Sequence, residues 1–358
     1  MVILPSHSQV ATQRYKKVAR GGYLSMNKGL KTAIKVLVPF AFGILILWLL
    51  YRNLDVDALV ETLRGDANFG VIIIASLFGT IGNTIRGFRW DLLNRRLDSN
   101  AHPITSILTT HGNYVVNMAL PRLGEVWRVG AMSHYSGISM SKLFGTLFVD
   151  RIYDIVAVSS LILLGLFLNA PFFTSFFEHN PRALLKIQEI GTSPWFYTVV
   201  GLLVVLAIVG LKWIKKSEKT MCTLRNVREG LRTIRTMDEK WLFHLYTIGI
   251  WASYYLQFYI TFYAFSFTAD LGPAVGLLTF VMGSIAILAP VQGGMGAWHF
   301  MVIYSLMVFG VESTNAQNFA LIVHTFQVFI WTNVMGLIAM GLLPLVNHKR
   351  KIDNQQEI

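Results

Sequence analysis

Apolar residues fall along this chain in blocks, separated by short charged stretches. A helix needs about 20 mostly apolar residues to cross a bilayer. Blocks near that length lie at Val36–Tyr51, Phe69–Ile85, Leu143–Leu168, Trp195–Leu211, Leu242–Phe267 and Leu321–Leu345. They predict six full membrane spans. Two further stretches, 103–142 and 274–311, begin apolar but break in the middle, at Leu120-Pro-Arg-Leu-Gly124 and Ala289-Pro-Val-Gln-Gly-Gly-Met-Gly296.

The charges between the blocks fix a topology. Arg14, Lys16, Lys17, Arg20, Lys28, Lys31 and Lys35 precede the first block with no acid among them, whereas Asp55, Asp57, Glu61 and Asp66 follow it. Cytoplasmic loops are enriched in Lys and Arg, so the N-terminus reads as cytoplasmic and the loop after Tyr51 as external. The second block then returns to a basic cytoplasmic loop with Arg86, Arg89, Arg95 and Arg96. The stretch from Lys212 to Lys240 is the most basic of all, and its Arg225, Arg228, Arg232 and Arg235 suit a surface helix on anionic headgroups. With that stretch also cytoplasmic, 103–142 must enter and leave on one face, and 274–311 on the other. Each is too short and too broken for two full spans, so each is expected to be a re-entrant hairpin. The chain therefore reads as an all-α polytopic membrane protein with about six full spans. Its two oppositely oriented re-entrant helical hairpins would belong to an inverted repeat, a plan common among secondary transporters. Its parts would be a basic cytoplasmic tail at 1–35, a transmembrane domain at 36–346 containing the 212–240 loop, and a cytoplasmic C-terminal tail at 347–358.

Composition agrees with that reading. Of the 358 residues, 54% are hydrophobic and only 14% charged, against about 25% charged in soluble domains. The formal net charge of +12 would raise nucleic-acid binding in a soluble protein. Here it follows from the basic loops, and a membrane rather than a nucleic acid is the expected partner. Cys222 is the only cysteine, which excludes an internal disulfide. Residues 1–35 contain no cleavable signal. Both termini are expected to be cytoplasmic.

Charges kept inside a membrane segment are expensive and usually functional. Arg122, Glu125 and Arg128 sit three residues apart around the first break, so on a helix Glu125 could reach either arginine. They could form a buried triad that locks the hairpin. Two positives against one negative also suit an anionic phosphate, which arginine binds in bidentate fashion, and this is the favoured reading. Asp150 and Asp154 flank Arg151 on the following span; they could relay protons or, in the preferred reading, neutralise Arg122 or Arg128. Arg86 and Arg89 could be snorkelling anchors beside Trp90 or could guide an anionic head inward. Gly293, Gly294 and Gly296 could let the second hairpin approach a ligand or the first hairpin closely. No nucleophile–base pair or metal set accompanies these residues, so neither an enzyme nor a cofactor is expected.

Four motifs carry a resemblance: Asn83-Thr-Ile-Arg-Gly-Phe-Arg-Trp-Asp-Leu-Leu93, the Asn117, Leu120-Pro-Arg122, Gly124-Glu125 and Arg128 pattern, Asp150-Arg-Ile-Tyr-Asp154, and Pro290 with Gly293, Gly294 and Gly296. In this order they resemble the transmembrane region of lysylphosphatidylglycerol synthetases and its stand-alone flippase-like relatives. The resemblance covers about residues 35–345. It implies a polytopic inner-membrane protein, and it adds Asn117 to the candidate substrate site. It also marks a departure, because Trp298-His299 stands where the family usually has an acidic residue; His299 joins the candidates in that place. The chain stops at Ile358, without the soluble catalytic domain of the synthetases. The expected function is movement of an anionic or aminoacylated phospholipid, or a lipid-linked intermediate, across the inner membrane. The alternative is a non-transporting scaffold or accessory subunit for a lipid- or glycan-modifying enzyme, docked through the 212–240 loop. A second copy of the chain or a membrane enzyme would be its protein partner.

Overall fold

The computed structural model describes residues 41–97, 102–120, 123–179, 237–286 and 291–356, with short pieces at 185, 188–189, 191–198, 201–202 and 205. The 1–35 tail, Arg122, most of the block at 195–211 and most of the 212–240 loop therefore lie outside the described residues. Helix is the only regular structure among those described. In order these helices are α1 (Ala41–Tyr51), α2 (Val56–Glu61), α3 (Phe69–Asn94), α4 (Pro103–Ala119), α5 (Gly124–Ser136), α6 (Met140–Leu168), α7 (Ala170–His179), α8 (Lys240–Ile260), α9 (Ser266–Ala269), α10 (Pro273–Ala286), α11 (Ala297–Val308), α12 (Ser313–Val323) and α13 (Thr332–Gln356). A π-helical stretch, His324–Trp331, joins α12 to α13 without a break.

Among the described residues, three helical runs are long and apolar enough to cross a membrane: Phe69–Asn94, Met140–Leu168 and Ser313–His348. The 26 residues of α3 rise about 39 Å at 1.5 Å each, more than the ~30 Å hydrocarbon thickness. Local signals set the helix starts. Asn68 caps α3 by accepting from the Val71 amide at 3.2 Å, and Asp55 caps α2 by accepting from that of Ala58 at 3.0 Å. His102 caps α4, whose first residue is Pro103, and Gly137 in the left-handed conformation (φ 74°) ends α5. The second span does not stop near Ile85 as its apolar block suggested. It continues through Arg86, Arg89 and Trp90 to Asn94, because the charges on that extension are buried and paired with another helix.

The packing is reciprocal. Helix α3 lies along α8; α4, which precedes the first break, lies along α13; and α6 lies along α10, which precedes the second. Across each break the two arms pack on each other, α4 on α5 and α10 on α11. Contacts between distant segments gather at two ends of the bundle. At one, Arg96 pairs with Glu239, Thr105 donates to Asn347 at 2.9 Å and Ser106 to Asp91 at 3.2 Å. At the other, Asn318 donates to Thr62 at 3.0 Å, the Asn68 amide to the Ala264 carbonyl at 2.9 Å and Asn169 to the Ala274 carbonyl at 2.9 Å. Helix α4 starts at the first end and α10 at the second. The breaks meet between them, where Gly293 faces the Met118 side chain.

The second end is filled by aromatic residues. Phe258, Phe262, Phe265 and Phe319 are buried there with ring centroids 5.3–6.1 Å apart around Phe319. The first end is closed by backbone proximity, since a Cβ on Gly87 would lie 2.5 Å from Ile107 Cα on α4. Backbone cannot yield there as a flexible side chain could. Gly87→Val is therefore expected to destabilise the fold by about 1–3 kcal/mol through overpacking. Gly341→Ala, with nothing within 4 Å of the added carbon, should not. Thermal unfolding of the detergent-solubilised variants checks both; equal midpoints would mean α3 and α4 are not held in this contact.

Candidate functional site

The most charged interior region joins α3 to α6. Arg86 and Arg89 are one helical turn apart on α3, and Asp150 and Asp154 one turn apart on α6, so each pair projects from a single face. Arg89 is fully buried and spans both acids: Nε donates to Asp150 Oδ1 at 2.8 Å, and Nη2 to Asp154 Oδ1 at 2.8 Å. Nη2 also donates to the Asp150 carbonyl and Nη1 to Thr247 on α8, each at 3.2 Å. Arg86 pairs with the other oxygen of Asp154 and donates through Nε to Tyr254 at 3.2 Å. Tyr254 in turn donates to Asn83 and lies 3.4 Å from the Tyr114 hydroxyl on α4. The cluster thus ties α3, α4, α6 and α8 together.

A second shell of charge opens toward the surroundings. Arg151 lies 2.8 Å from Glu125 on α5 and donates to Asp154 at 3.1 Å. The Arg151 and Glu125 side chains keep 35% and 39% of their surface exposed, so this pair borders the inner cluster on its open side. Glu125 thus meets Arg151, a partner from another helix; the suggested pairing with Arg122 lies outside the described residues. Asp150 and Asp154 are paired with Arg86, Arg89 and Arg151; Arg128 makes no hydrogen bond to either, and the expected pairing with Arg122 lies outside the described residues. Arg86 and Arg89 are not snorkelling anchors at a membrane interface, because both are buried.

Arg128 stands apart. It is fully buried, its guanidinium lies 4.0 Å above the Trp90 ring, and none of its three side-chain nitrogens has a hydrogen-bond partner among the described residues. Trp90 is held in place by donating to Thr146 at 3.1 Å, and Thr146 donates to Asn94 at 2.8 Å. The Asn94 amide nitrogen is also buried without a partner, as is Asp150 Oδ2 on the acidic side, 4.0 Å from Arg86. Four guanidiniums (Arg86, Arg89, Arg128, Arg151) face three carboxylates (Glu125, Asp150, Asp154) among the described residues, an excess of one positive charge. An ion buried without a partner is costly. The cation–π contact offsets only about 2 kcal/mol of that.

The remaining predicted residues lie elsewhere. Asn117 accepts from the Gly124 amide at 2.9 Å and donates to Asn113 at 3.3 Å, closing the turn between α4 and α5. Gly124 is required by that closure, since a Cβ there would collide with the Asn113 carbonyl oxygen. Gly293, Gly294 and Gly296 have φ values of 57°, 74° and 78°, the left-handed region glycine tolerates. Their tip touches the first pair of arms at Met118. His299 is buried, accepts weakly from the Gly296 amide at 3.4 Å, and packs 4.5 Å from the His324 ring. His324 Nε2 lies 2.9 Å from the Gly293 carbonyl oxygen and so donates to it. The structure brings Arg86, Arg89, Glu125, Arg128, Asp150, Arg151 and Asp154 together; Asn117, His299 and the glycines serve the two breaks. Trp90, Asn94, Thr146 and Tyr254 belong with the cluster but were not singled out as site residues. Asn83, Arg86, Trp90 and Asn94 do recur at helical spacing, a stripe that could have revealed two of them, Trp90 and Asn94; nothing local marks Tyr254. Among the described residues no group of His, Cys, Asp and Glu could hold a metal.

Helical fold, apolar spans and buried charge define an integral membrane protein. Residues 36–334 match the family model for the lysylphosphatidylglycerol synthase TM region, and the chain belongs to that multi-pass membrane-protein family. It is also similar to the UPF0104 membrane protein MJ1078 of Methanocaldococcus jannaschii, with 24% identity over 203 residues that cover 56% of this chain and 82% of that one.

Removing one member of a buried ion pair strands the other and typically costs 3–5 kcal/mol. Arg89→Gln is accordingly expected to lower thermal stability by about that much, because two aspartates lose their shared partner. The quadruple change of Arg86, Arg89, Asp150 and Asp154 to Leu, which removes both buried cations with both of their acids, should recover part of the loss. Circular dichroism melts in detergent measure both; an Arg89→Gln protein as stable as wild type would show that the cluster carries no stability.

Proposed function

We propose that this protein moves an anionic or aminoacylated phospholipid, or a lipid-linked intermediate, across the membrane, acting as a carrier and not as an enzyme. The observation that carries the reading is Arg128, a buried guanidinium with no hydrogen-bond partner among the described residues, which gives the otherwise balanced arginine–carboxylate cluster beside it one positive charge in excess. An anionic headgroup would satisfy it, with bidentate geometry available to a phosphate. The Glu125–Arg151 pair marks the side by which such a group would arrive.

Architecture supports the same reading. In it the arms on either side of each break form re-entrant hairpins, one from each face, within about six full spans and an inverted repeat. The reciprocal contacts of α4 with α13 and of α6 with α10 are the pairing such a repeat would generate, and the two breaks meet in the middle. Half-helices broken at mid-membrane, with sites at the interface of two repeats, are how secondary transporters build binding sites. The basic end bearing Arg96 is assigned to the cytoplasm, in a bacterial inner membrane, with both termini on that side. Family membership gives lipid as the kind of substrate to test first.

Purified protein in proteoliposomes, with fluorescent phospholipids of differing headgroup charge, tests the proposal. A charge-assisted hydrogen bond is worth about 1.5–3 kcal/mol, so Arg128→Gln should slow movement of anionic lipid roughly ten- to hundred-fold, while Phe144→Leu, on the exposed face of α6, leaves it unchanged. Equal rates in wild type and Arg128→Gln would remove Arg128 from the site. Absence of movement by the wild-type protein for every headgroup, with or without an imposed ion gradient, would overturn transport.

A further inference from the structure

Two adjoining cavities lie away from the arginine–aspartate cluster, between α1 and α11. One, of about 380 Å³, is lined by Ile46, Ile285, Ala286, Ala297, Phe300 and Met301, all apolar. The other, of about 320 Å³, shares Phe300 but ends among Arg52, Asn53, Ser313 and Gln317. Both fall in the size range of small-molecule sites.

Glycine explains why the gap exists. At the tip, α1 and the second break are in tight contact: a Cβ on Gly296 would lie 2.7 Å from Ile46 Cβ, and one on Gly43 would lie 3.5 Å from the Met295 carbonyl oxygen. Further along, Leu49, Leu50, Phe300, Tyr304 and Met307 line the space beside the two helices. The result is a wedge, wholly apolar toward the tip and polar toward Arg52. Its polar end is the aromatic end of the bundle, opposite Arg96 and Glu239. Arg52 there has no carboxylate partner among the described residues, and its guanidinium lies 5.8 Å from the Trp48 ring centroid. Six residues separate Ile46 from Arg52, about 9 Å along a helix, so the charge sits at one end of a short apolar slot.

We propose that this wedge binds one phospholipid with an anionic headgroup. An acyl chain lies against Ile46, Ala297 and Met301, and the phosphate is held at Arg52, with Asn53, Ser313 and Gln317 offering hydrogen bonds to the rest of the head. Charge complementarity selects an anionic lipid over a zwitterionic one. Taken with the lipid-transport reading, on which only this clause rests, the wedge is the station at the end of the bundle opposite Arg128, where a lipid is held on arrival or before departure.

Photo-crosslinking tests the site apart from transport. The full chain in nanodiscs would be labelled with phosphatidylglycerol or phosphatidylcholine carrying a photoreactive acyl chain, and modified peptides located by mass spectrometry. The expected pattern is labelling of α1 and α11 at least five-fold stronger with phosphatidylglycerol. Ala297→Phe, which fills the slot, should reduce labelling about ten-fold. Arg52→Gln should abolish the headgroup preference and Arg52→Lys preserve it. Thermal midpoints identify any variant that fails to fold, and Arg52, on the exposed rim, is the variant least able to unfold the protein. Labelling equal to that of the exposed Leu163 face of α6, or unchanged in Ala297→Phe, would show surrounding bilayer lipid only and overturn the site. Labelling without headgroup preference would overturn the role of Arg52. Specific labelling in a protein that moves no lipid would leave the wedge standing and sink the transport reading; movement without specific labelling would do the reverse.

Discussion

The pairing of Arg86 and Arg89 with Asp150 and Asp154 is the constraint on which the first half of the structure depends. Separate charges on α3 and α6 would each oppose burial by several kcal/mol. Matched across the helix interface they remove that penalty from each other, but only in one register. Asp150 and Asp154 are a single turn apart, so sliding α6 by one turn would leave Arg89 with one acid instead of two. Attraction between buried charges seldom adds much net stability; what it contributes here is alignment. That alignment carries further, because Arg86 reaches Tyr254 on α8 and Arg89 reaches Thr247, so the contact between α3 and α8 is fixed by the same side chains.

Seen from this cluster, the limits of what the sequence revealed have a physical cause. Three of the apolar blocks fall on the three long helical runs, and both interruptions fall between paired helices, because a 20-residue apolar run and a Pro–Gly interruption are local signals. Membership of the family was legible in the motifs for the same reason. The end of α3 was not. Arg86 and Arg89 look like the start of a cytoplasmic loop when their partners, 61–68 residues away, are unknown. Glu125 likewise has two arginines within local reach, yet its partner comes from α6. Pairing across helices is decided by tertiary packing, and a spacing rule that describes an isolated helix has nothing to say about it. Asn117 is the opposite case: its side chain closes a turn only seven residues long, but a motif match alone does not separate a turn-closing amide from a ligand-binding one.

The two breaks solve one problem by different chemistry. In the first, an asparagine side chain satisfies the opening amide of α5, and Gly124 lets it approach. In the second, three left-handed glycines turn the chain, while His324 reaches the Gly293 carbonyl from the start of a π-helical stretch. A π turn leaves backbone groups displaced from the regular ladder, and such turns are frequently found at functional places. Here the displaced segment is also pinned by Gln327, which donates to Thr261 at 2.8 Å and accepts from Gln257 at 3.2 Å, and by Trp331, which donates to Thr80 at 2.9 Å. Arg128, the buried cation with no hydrogen-bond partner among the described residues, belongs to the first half.

That imbalance bears on how opposed halves could work as one device. The contacts of α4 with α13 and of α6 with α10 correspond, but charge does not: guanidiniums and carboxylates crowd around α3, α5 and α6, whereas aromatic rings gather around α8, α12 and the second break. On the proposed transport reading, a symmetric carrier would offer a headgroup equal welcome at both ends. This chain has a buried cation at one end and, at the other, a slot with Arg52 on its rim. Between them Gly293 and Met118 make the contact at which the breaks touch. A polar group passing from one end to the other must displace that contact. A glycine against an unbranched thioether is among the weaker obstacles a packed interior can present, since methionine adapts its rotamers readily. The junction is closed by the pair of residues best able to reopen it.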